Sequence, residues 1–263
     1  LGAALFRRSR LGMELTPAGR AFLPHAERAI EAIRTGSTLI RQLELGIVGE
    51  LALGVAPAVS AYVLPDLLAS FTVDNPDVRI LVRTGHSEEI IDLVLRGEVE
   101  LGIVRELRDS RVVMRPLYED ELVLVVPVGH PFARTGKVDV AEMQHAQLIM
   151  FDRTSSYYEL TNAMFRSAGV VPRGVTELDN IEAAKRMVER GLGVALLPGT
   201  AVADALHGGT LKEVELLGGG SIRRRIVLVE RPGGVVKLPV VSAFTTLLDR
   251  IPEIIPGARR ATG

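Results

Sequence analysis

Phe22, Ala26, Ala29, Ile33, Gly36, Ile40 and Leu43 follow one another at spacings of 4, 3, 4, 3, 4 and 3. Small and apolar residues at that rhythm form one stripe along a helix, held here for about three heptads. Thr16-Pro17 supplies the start: Thr caps free amide groups, and Pro at the first helical position has no amide to lose. Pro24 stands near enough to that start to bend the helix rather than end it. A helix over 16–45 would be roughly 45 Å long. Such a rod is too long to bury its seam on one small domain, so the pattern predicts a partner helix. An amphipathic helix lying on its own body is the alternative, and Gly36 in the seam either permits close approach or weakens the rod.

The 263 residues, 47% of them hydrophobic, are enough for two or three compact units with real cores. No apolar run approaches the roughly 20 residues that span a membrane. Cysteine is absent, which removes disulfides, thiol catalysis and cysteine-ligated metals together. A cytoplasmic protein is the simplest reading. Residue 1 is Leu rather than Met, and no signal-like apolar run stands ahead of the first basic cluster. Charge is uneven: residues 1–48 carry seven Arg against four Glu, leaving −4 for the rest of a chain whose total is −1. A basic end on a mildly acidic body is the asymmetry expected where one end meets a polyanion. Arg7, Arg8 and Arg10 form a cluster without an acidic neighbour, suited to phosphate contacts that add salt-dependent affinity but no sequence discrimination. Plain surface charge is the duller account of the same three.

After a short hinge at 46–49, strand and helix patterns alternate. Strands are expected over 50–56, 78–83 and 101–104, with helices around Leu64–Phe71 and from Ser87 to Gly97. A further strand covers 122–127. The alternation then repeats, with strands at 147–151, 174–178 and 194–197 and helices at 155–168 and 181–190. A strand over 225–230 leads back to a terminal helix at 238–248, and residues after Ile255 read as a frayed tail. Such alternation implies right-handed crossovers and parallel sheets. Two α/β lobes, crossed near Pro127 and again near Arg225, would enclose a cleft, where ligands meet strand ends and helix N-termini.

Candidate ligand residues follow from the strand ends. Pro57-Ala58-Val59-Ser60 opens a helix and suits a carboxylate or phosphate, with Ser60 equally readable as a cap. Gly85-His86-Ser87 stands likewise before the next helix, where Ser87 reads as a cap without a capping box. Arg105 could pair bidentately with an anion, or with Glu106 or Asp109 at the surface. Arg153-Thr154-Ser155-Ser156 lies among Phe151, Tyr157 and Tyr158. Hydroxyls at a helix start flanked by aromatic rings fit both the anionic and the ring part of a ligand. The expected effector is a small organic acid.

The run Leu5-Phe6-Arg7-Arg8 … Leu15-Thr16-Pro17-Ala18-Gly19 resembles the wing and linker-helix start of the LysR-type transcriptional regulators. The stretches 96–104 (RGEVELGIV), 116–125 (PLYEDELVLV) and 188–198 (VERGLGVALLP) add to it, in the family's order. The resemblance implies a winged helix-turn-helix DNA-binding domain, of which 1–15 would be the wing remnant, with most of the helix-turn-helix missing. It further implies a dimerising linker helix over 16–45 and an α/β, two-lobed effector domain like periplasmic binding proteins. One lobe would be 50–127 with 226–255, the other 128–225, and 256–263 a tail. Implied partners are double-stranded DNA, a small-molecule effector, and further copies of the chain as a homodimer or homotetramer. Wing contacts would come from Arg7, Arg8 and Arg10; the family often carries a second basic residue where Leu11 stands.

Catalysis has little support. The five His show no metal-ligand spacing, and no nucleophile elbow, P-loop or dinucleotide fingerprint occurs, so neither a metal nor a cofactor is expected. A transport solute-binding protein with the same two lobes is the competing reading. Fold alone does not separate the two; the heptad rod and basic wing favour the regulator.

Overall fold

The computed structural model describes residues 2–9, 12–45, 49–153, 155–233 and 238–261. Of the expected hinge, only Gly49 falls among them. The chain opens with a hairpin, β1 (Phe6–Ser9) and β2 (Gly12–Leu15), that runs directly into α1 (Pro17–Leu45). Hairpin register sets Arg7 opposite Glu14, and the two form an ion pair at 3.0 Å. The basic cluster therefore does have an acidic neighbour. Antiparallel pairing brings together side chains that linear inspection keeps apart.

Thr16 fixes the corner between hairpin and helix. Its hydroxyl accepts from the Gly19 amide at 3.0 Å and donates to the Ala4 carbonyl at 2.7 Å. Its own amide donates to the Leu5 carbonyl at 3.0 Å. Gly19 lies buried at this crossing, where a Cβ would run into the Leu5 carbonyl oxygen. Farther along, Leu23, Ile30, Ile33 and Ile40 are exposed, Ile33 by 69%. Their apolar stripe thus faces outward, against the alternative of a helix lying on its own body.

The first lobe follows the predicted alternation: β3 (Glu50–Val55), α2 (Pro57–Tyr62), α3 (Leu64–Asp74), β4 (Arg79–Thr84), α4 (Ser87–Arg96) and β5 (Leu101–Arg105). The helix expected as one piece after β3 is broken at Val63, because Pro65 in the first turn of α3 lacks the amide that would continue it. Leu51, Leu53 and Val55 join Leu67 and Phe71 in one core, while Ala52 joins Ile90, Ile91 and Val94 under α4. A strand with period two buried on both faces requires that division.

β6 (Val113–Pro127) extends well beyond the expected strand and carries the chain across. The second lobe holds α5 (Pro131–Thr135), β7 (Lys137–Asp139), a 3-10 turn (Val140–His145), β8 (Gln147–Phe151), α6 (Ser156–Ser167) and β9 (Gly174–Leu178). It continues with α7 (Ile181–Glu189), β10 (Val194–Pro198), α8 (Gly199–His207) and β11 (Leu211–Leu217). β12 (Ile222–Glu230) returns to the first lobe, which α9 (Pro239–Leu248), α10 (Ile251–Ile254) and β13 (Ala258–Arg260) complete. Strands run β4-β3-β5-β12-β6-β10-β8-β9. β4, β3 and β5 are parallel, as are β9, β8 and β10, but β6 and β12 run antiparallel to their neighbours, so the sheet is mixed.

The stretch after Ile255 is not frayed within the described residues. Ile255 is buried, and β13 pairs with Tyr118, Glu119 and Asp120 in the middle of β6. Gly257 makes this return with φ +83° and lies so close to the Gly199 backbone that a Cβ would sit 2.7 Å from its carbonyl carbon. Only glycine combines that torsion with that approach.

Gly19→Ala tests the hairpin–helix corner. Alanine gains about 1 kcal/mol of helix propensity, but its methyl must displace Leu5. The expected outcome is hydrogen exchange of the Thr16 amide at least about tenfold faster, as the corner opens locally. Exchange at the wild-type rate would show that the corner has room for the methyl.

Candidate functional site

The C-terminal ends of β3, β4, β5, β8, β9 and β10 deliver their loops to the space between the lobes, the position where open α/β sheets bind ligands. The structure treats the residues expected there unequally. Pro57 is exposed at the start of α2, but Val59 packs its side chain into the first-lobe core and Ala58 is buried beside it. Ser60 is not a cap; its amide bonds to the Ala56 carbonyl, and its hydroxyl accepts from Thr84 across the cleft wall at 3.1 Å. Gly85 donates its amide to the Val55 carbonyl. The cap of α4 is His86 rather than Ser87: Glu89, three residues on, accepts from the His86 amide at 2.9 Å, and Ser87 is buried in the first turn. Arg105 pairs with Glu88 of that same turn at 3.0 Å, not with Glu106 or Asp109. Those two carboxylates meet Arg225 and Arg111 instead.

Across the cleft, Ser155 caps α6 by accepting from the Tyr157 amide at 3.2 Å, and Arg153 is exposed with its guanidinium 6.0 Å from the Tyr158 ring centre. Arg10, Thr154 and the side chain of Ser156 lie outside the described residues. The structure thus groups 85–87 with Arg105 on one lobe and places Arg153 and Ser155 on the other.

Between them stands a polar cluster that the strand-end reasoning did not pick out. Three of the chain's four tyrosines, Tyr62, Tyr118 and Tyr157, converge with Asp120 and Arg224. Asp120 and Arg224 face each other on β6 and β12 where those strands change lobes. The Asp120 carboxylate is 2% exposed; it accepts from the Thr200 hydroxyl at 2.9 Å and the Thr200 amide at 3.4 Å. It therefore occupies the N-terminus of α8, where the helix dipole favours negative charge. Burial raises its pKa, against the lowering pull of Arg224 and the Thr200 hydrogen bonds. The Arg224 guanidinium stacks 4.1 Å from the Tyr157 ring centre. Tyr157 is buried, and among the described residues its hydroxyl meets no hydrogen-bond partner beyond the Arg224 guanidinium stacked on its ring. Burial raises both the Tyr157 and Tyr118 phenols, keeping them neutral donors.

Tyr62 reaches over from α2. Its hydroxyl donates to Glu182 of α7 at 3.3 Å, and burial with the Glu182 charge pushes its pKa up to about 12. Glu182 is held below the usual carboxylate range chiefly by its bond from Lys185, 2.7 Å away. Lys185 also lies 5.4 Å over the Tyr62 ring. The signals for these residues were present but dispersed: a tyrosine closing the α2 turn, the Tyr118–Asp120 pair inside a hydrophobic strand, and Gly199-Thr200 directly after one. Deeper still, a small apolar cavity between β8 and α6 is lined by Met143, Ile149 and Phe165 and belongs to the second-lobe core. Among the described residues no group of three or more His, Cys, Asp or Glu could hold a metal ion.

Two lobes joined by crossing strands, with polar groups converging between them, define a ligand-binding domain. The model of the family described as LysR substrate binding domain matches residues 46–250. The chain belongs to the LysR family of transcriptional regulators. It is 27% identical over 239 residues to the "Probable RuBisCO transcriptional regulator" of Cyanidioschyzon merolae, covering 88% of this chain and 78% of that protein. The fold is similar to the "Effector binding domain of QuiR in complex with shikimate" (22% identity, TM-score 0.63, 78% of this chain and 97% of that one). It is also similar to the "BenM effector binding domain with its effector benzoate" (16% identity, TM-score 0.65, 78% and 92%). The relatives are transcriptional regulators, and the regulator reading stands over the transport alternative. No helix among the described residues is long and apolar enough to cross a membrane.

The tyrosine cluster makes a pH prediction. Because the folded state holds the Tyr62 proton to about pH 12 against 10.0 for an ordinary tyrosine, it binds more protons than the unfolded state between those values. The contribution is whole below pH 10 and lost as pH rises to about 12, with Tyr118 and Tyr157 acting in the same direction. Denaturant midpoints should fall across that window, less steeply in Tyr62→Phe. An identical slope in the variant would remove Tyr62 from the account.

Proposed function

We propose that the cleft binds a small organic anion, and that this binding alters how the regulator acts on DNA. The observation that carries the reading is the convergence of Tyr62 and Tyr157 phenols with the Lys185 ammonium and Arg224 guanidinium between the lobes. Neutral donors beside a fixed cation suit a carboxylate and the ring or hydroxyl groups attached to it. Shikimate and benzoate, the ligands named for two similar domains, are both carboxylates. In this reading the lobes are 50–127 with 226–255, and 128–225. The rim is drawn from Pro57, Ala58, the Val59 amide, Ser60, 85–87, Arg105 and 153–156. The protein binds rather than catalyses, needs no cofactor, and works in the cytoplasm.

The hairpin would supply phosphate contacts through Arg8, with Arg7 divided between DNA and Glu14. The outward stripe Leu23, Ile30, Ile33 and Ile40 would join two copies through α1, and pairs of such dimers would make a tetramer.

Two measurements test the proposal. Carboxylates, benzoate and shikimate first, should raise the melting temperature by mass action, while cations and neutral sugars leave it unchanged. The carboxylate that stabilises the protein should also shift its DNA footprint; stabilisation by cations or neutral sugars alone would sink the anion reading. Separately, Arg8→Ala should weaken DNA binding and reduce the slope of log affinity against log salt by about one. An unchanged slope would take Arg8 off the phosphate backbone.

A further inference from the structure

Lys185 and Glu182 are unequal partners. The Lys185 side chain is 17% exposed, and a nearly buried ammonium needs an anion or comparable acceptor. Its partners are Glu182 at 2.7 Å, the Ala201 carbonyl of α8 at 3.5 Å and the face of the Tyr62 ring. Glu182 is 45% exposed and has donors to spare: Lys185, Arg186 at 3.0 Å one helical turn on, and the Tyr62 hydroxyl at 3.3 Å from the opposite lobe. If another anion took its place on Lys185, Glu182 would remain paired with Arg186 in solvent, where such a pair gains or loses little. Lys185 has no similar fallback. Exchange of one carboxylate for another is therefore favourable only when the incoming anion satisfies the ammonium at least as well. The Tyr62 hydroxyl bonds to Glu182 from α2 to α7, so the exchange takes place where the two lobes meet.

We infer that Lys185 reads the anionic end of the effector, and that Glu182, which holds it in the free state, ties that reading to the lobes through Tyr62. An effector carboxylate on Lys185 displaces Glu182, and the Tyr62–Glu182 bond between α2 and α7 is broken with it. Occupancy is thereby converted into a change in how the lobes are held. The inference rests on the proposed reading of the cleft as an anion site.

The experiment has a ligand arm and a ligand-free arm on the same regulator. In the first, benzoate and shikimate are titrated calorimetrically at fixed ionic strength. Lys185→Gln should weaken the carboxylate that wild type binds by at least about tenfold, the scale of one lost charge-assisted hydrogen bond. Glu182→Gln, which frees the ammonium, should tighten it by about threefold or more. In the second arm, spin labels at Val73→Cys and Val171→Cys, exposed positions on the two lobes of a cysteine-free chain, report the interlobe distance. Tyr62→Phe and Glu182→Gln should broaden or shift that distance without ligand. Wild-type affinity in Lys185→Gln overturns the assignment of Lys185, and unchanged distances in both other variants overturn the latch. If wild type binds neither carboxylate, the organic-acid reading falls and Lys185's role falls with it; the distance arm then decides the latch by itself.

Discussion

The buried carboxylate of Asp120 is the point on which the two lobes depend. Its strand, β6, runs from one lobe into the other; its cross-strand partner Arg224 lies on the returning strand β12; its hydrogen bonds come from Thr200 at the head of α8. A carboxylate at 2% exposure is costly unless each lone pair finds a donor. The donors come from the head of α8 and the opposing charge from β12, so the requirement fixes both against β6 at once. The C-terminal strand β13 adds its own hydrogen bonds to β6 at the same residue, and Gly257 lets that strand press against the α8 turn. Removing α8 or β12 would leave a buried charge short of partners.

That arrangement explains which parts of the fold were legible from sequence. Local periodicity sufficed for the lobes: β8 over 147–151 and β9 over 174–178 match their expected spans, and the Gly97 stop of α4 is where a glycine in left-handed conformation ends the helix. Of the elements that escaped, α8, β11 and β13 show three different reasons. α8 begins immediately after β10 with Gly199-Thr200 and no capping side chain of its own, since its cap is Asp120 from 80 positions away. β11 alternates only weakly, burying Leu211 and Val214 among charged residues. β13 is three residues long and exists through pairing with β6. Nonlocal partners do not register in a window of neighbouring residues.

The candidate site divides along the same line. The strand-end rule pointed to loops in which several side chains are engaged in holding the loops themselves: Ser155 caps α6, Ser60 meets Thr84, Arg105 pairs with Glu88. The groups left facing one another come from positions the rule ignores, a strand middle for Tyr118 and Asp120 and a helix end for Tyr62. Arg7 shows the same limit in the hairpin, where register rather than sequence proximity supplied Glu14.

Tyrosine is suited to the place where these nonlocal contacts meet. A phenol covers apolar wall with its ring and still presents a hydrogen-bonding oxygen. Burial disfavours its ionisation, so it adds no charge to a region already holding Asp120, Arg224, Lys185 and Glu182. A second carboxylate or ammonium at any of these three positions would have to be neutralised by another partner from the opposite lobe, and the lobes would then be locked by charge. With phenols there, the cross-lobe contact of Tyr62 is one hydrogen bond from an uncharged donor to a half-exposed carboxylate, small against the buried Asp120 network. The hinge is thus held by strong, enclosed electrostatics, while the cleft is held by a contact weak enough for a bound ligand to replace.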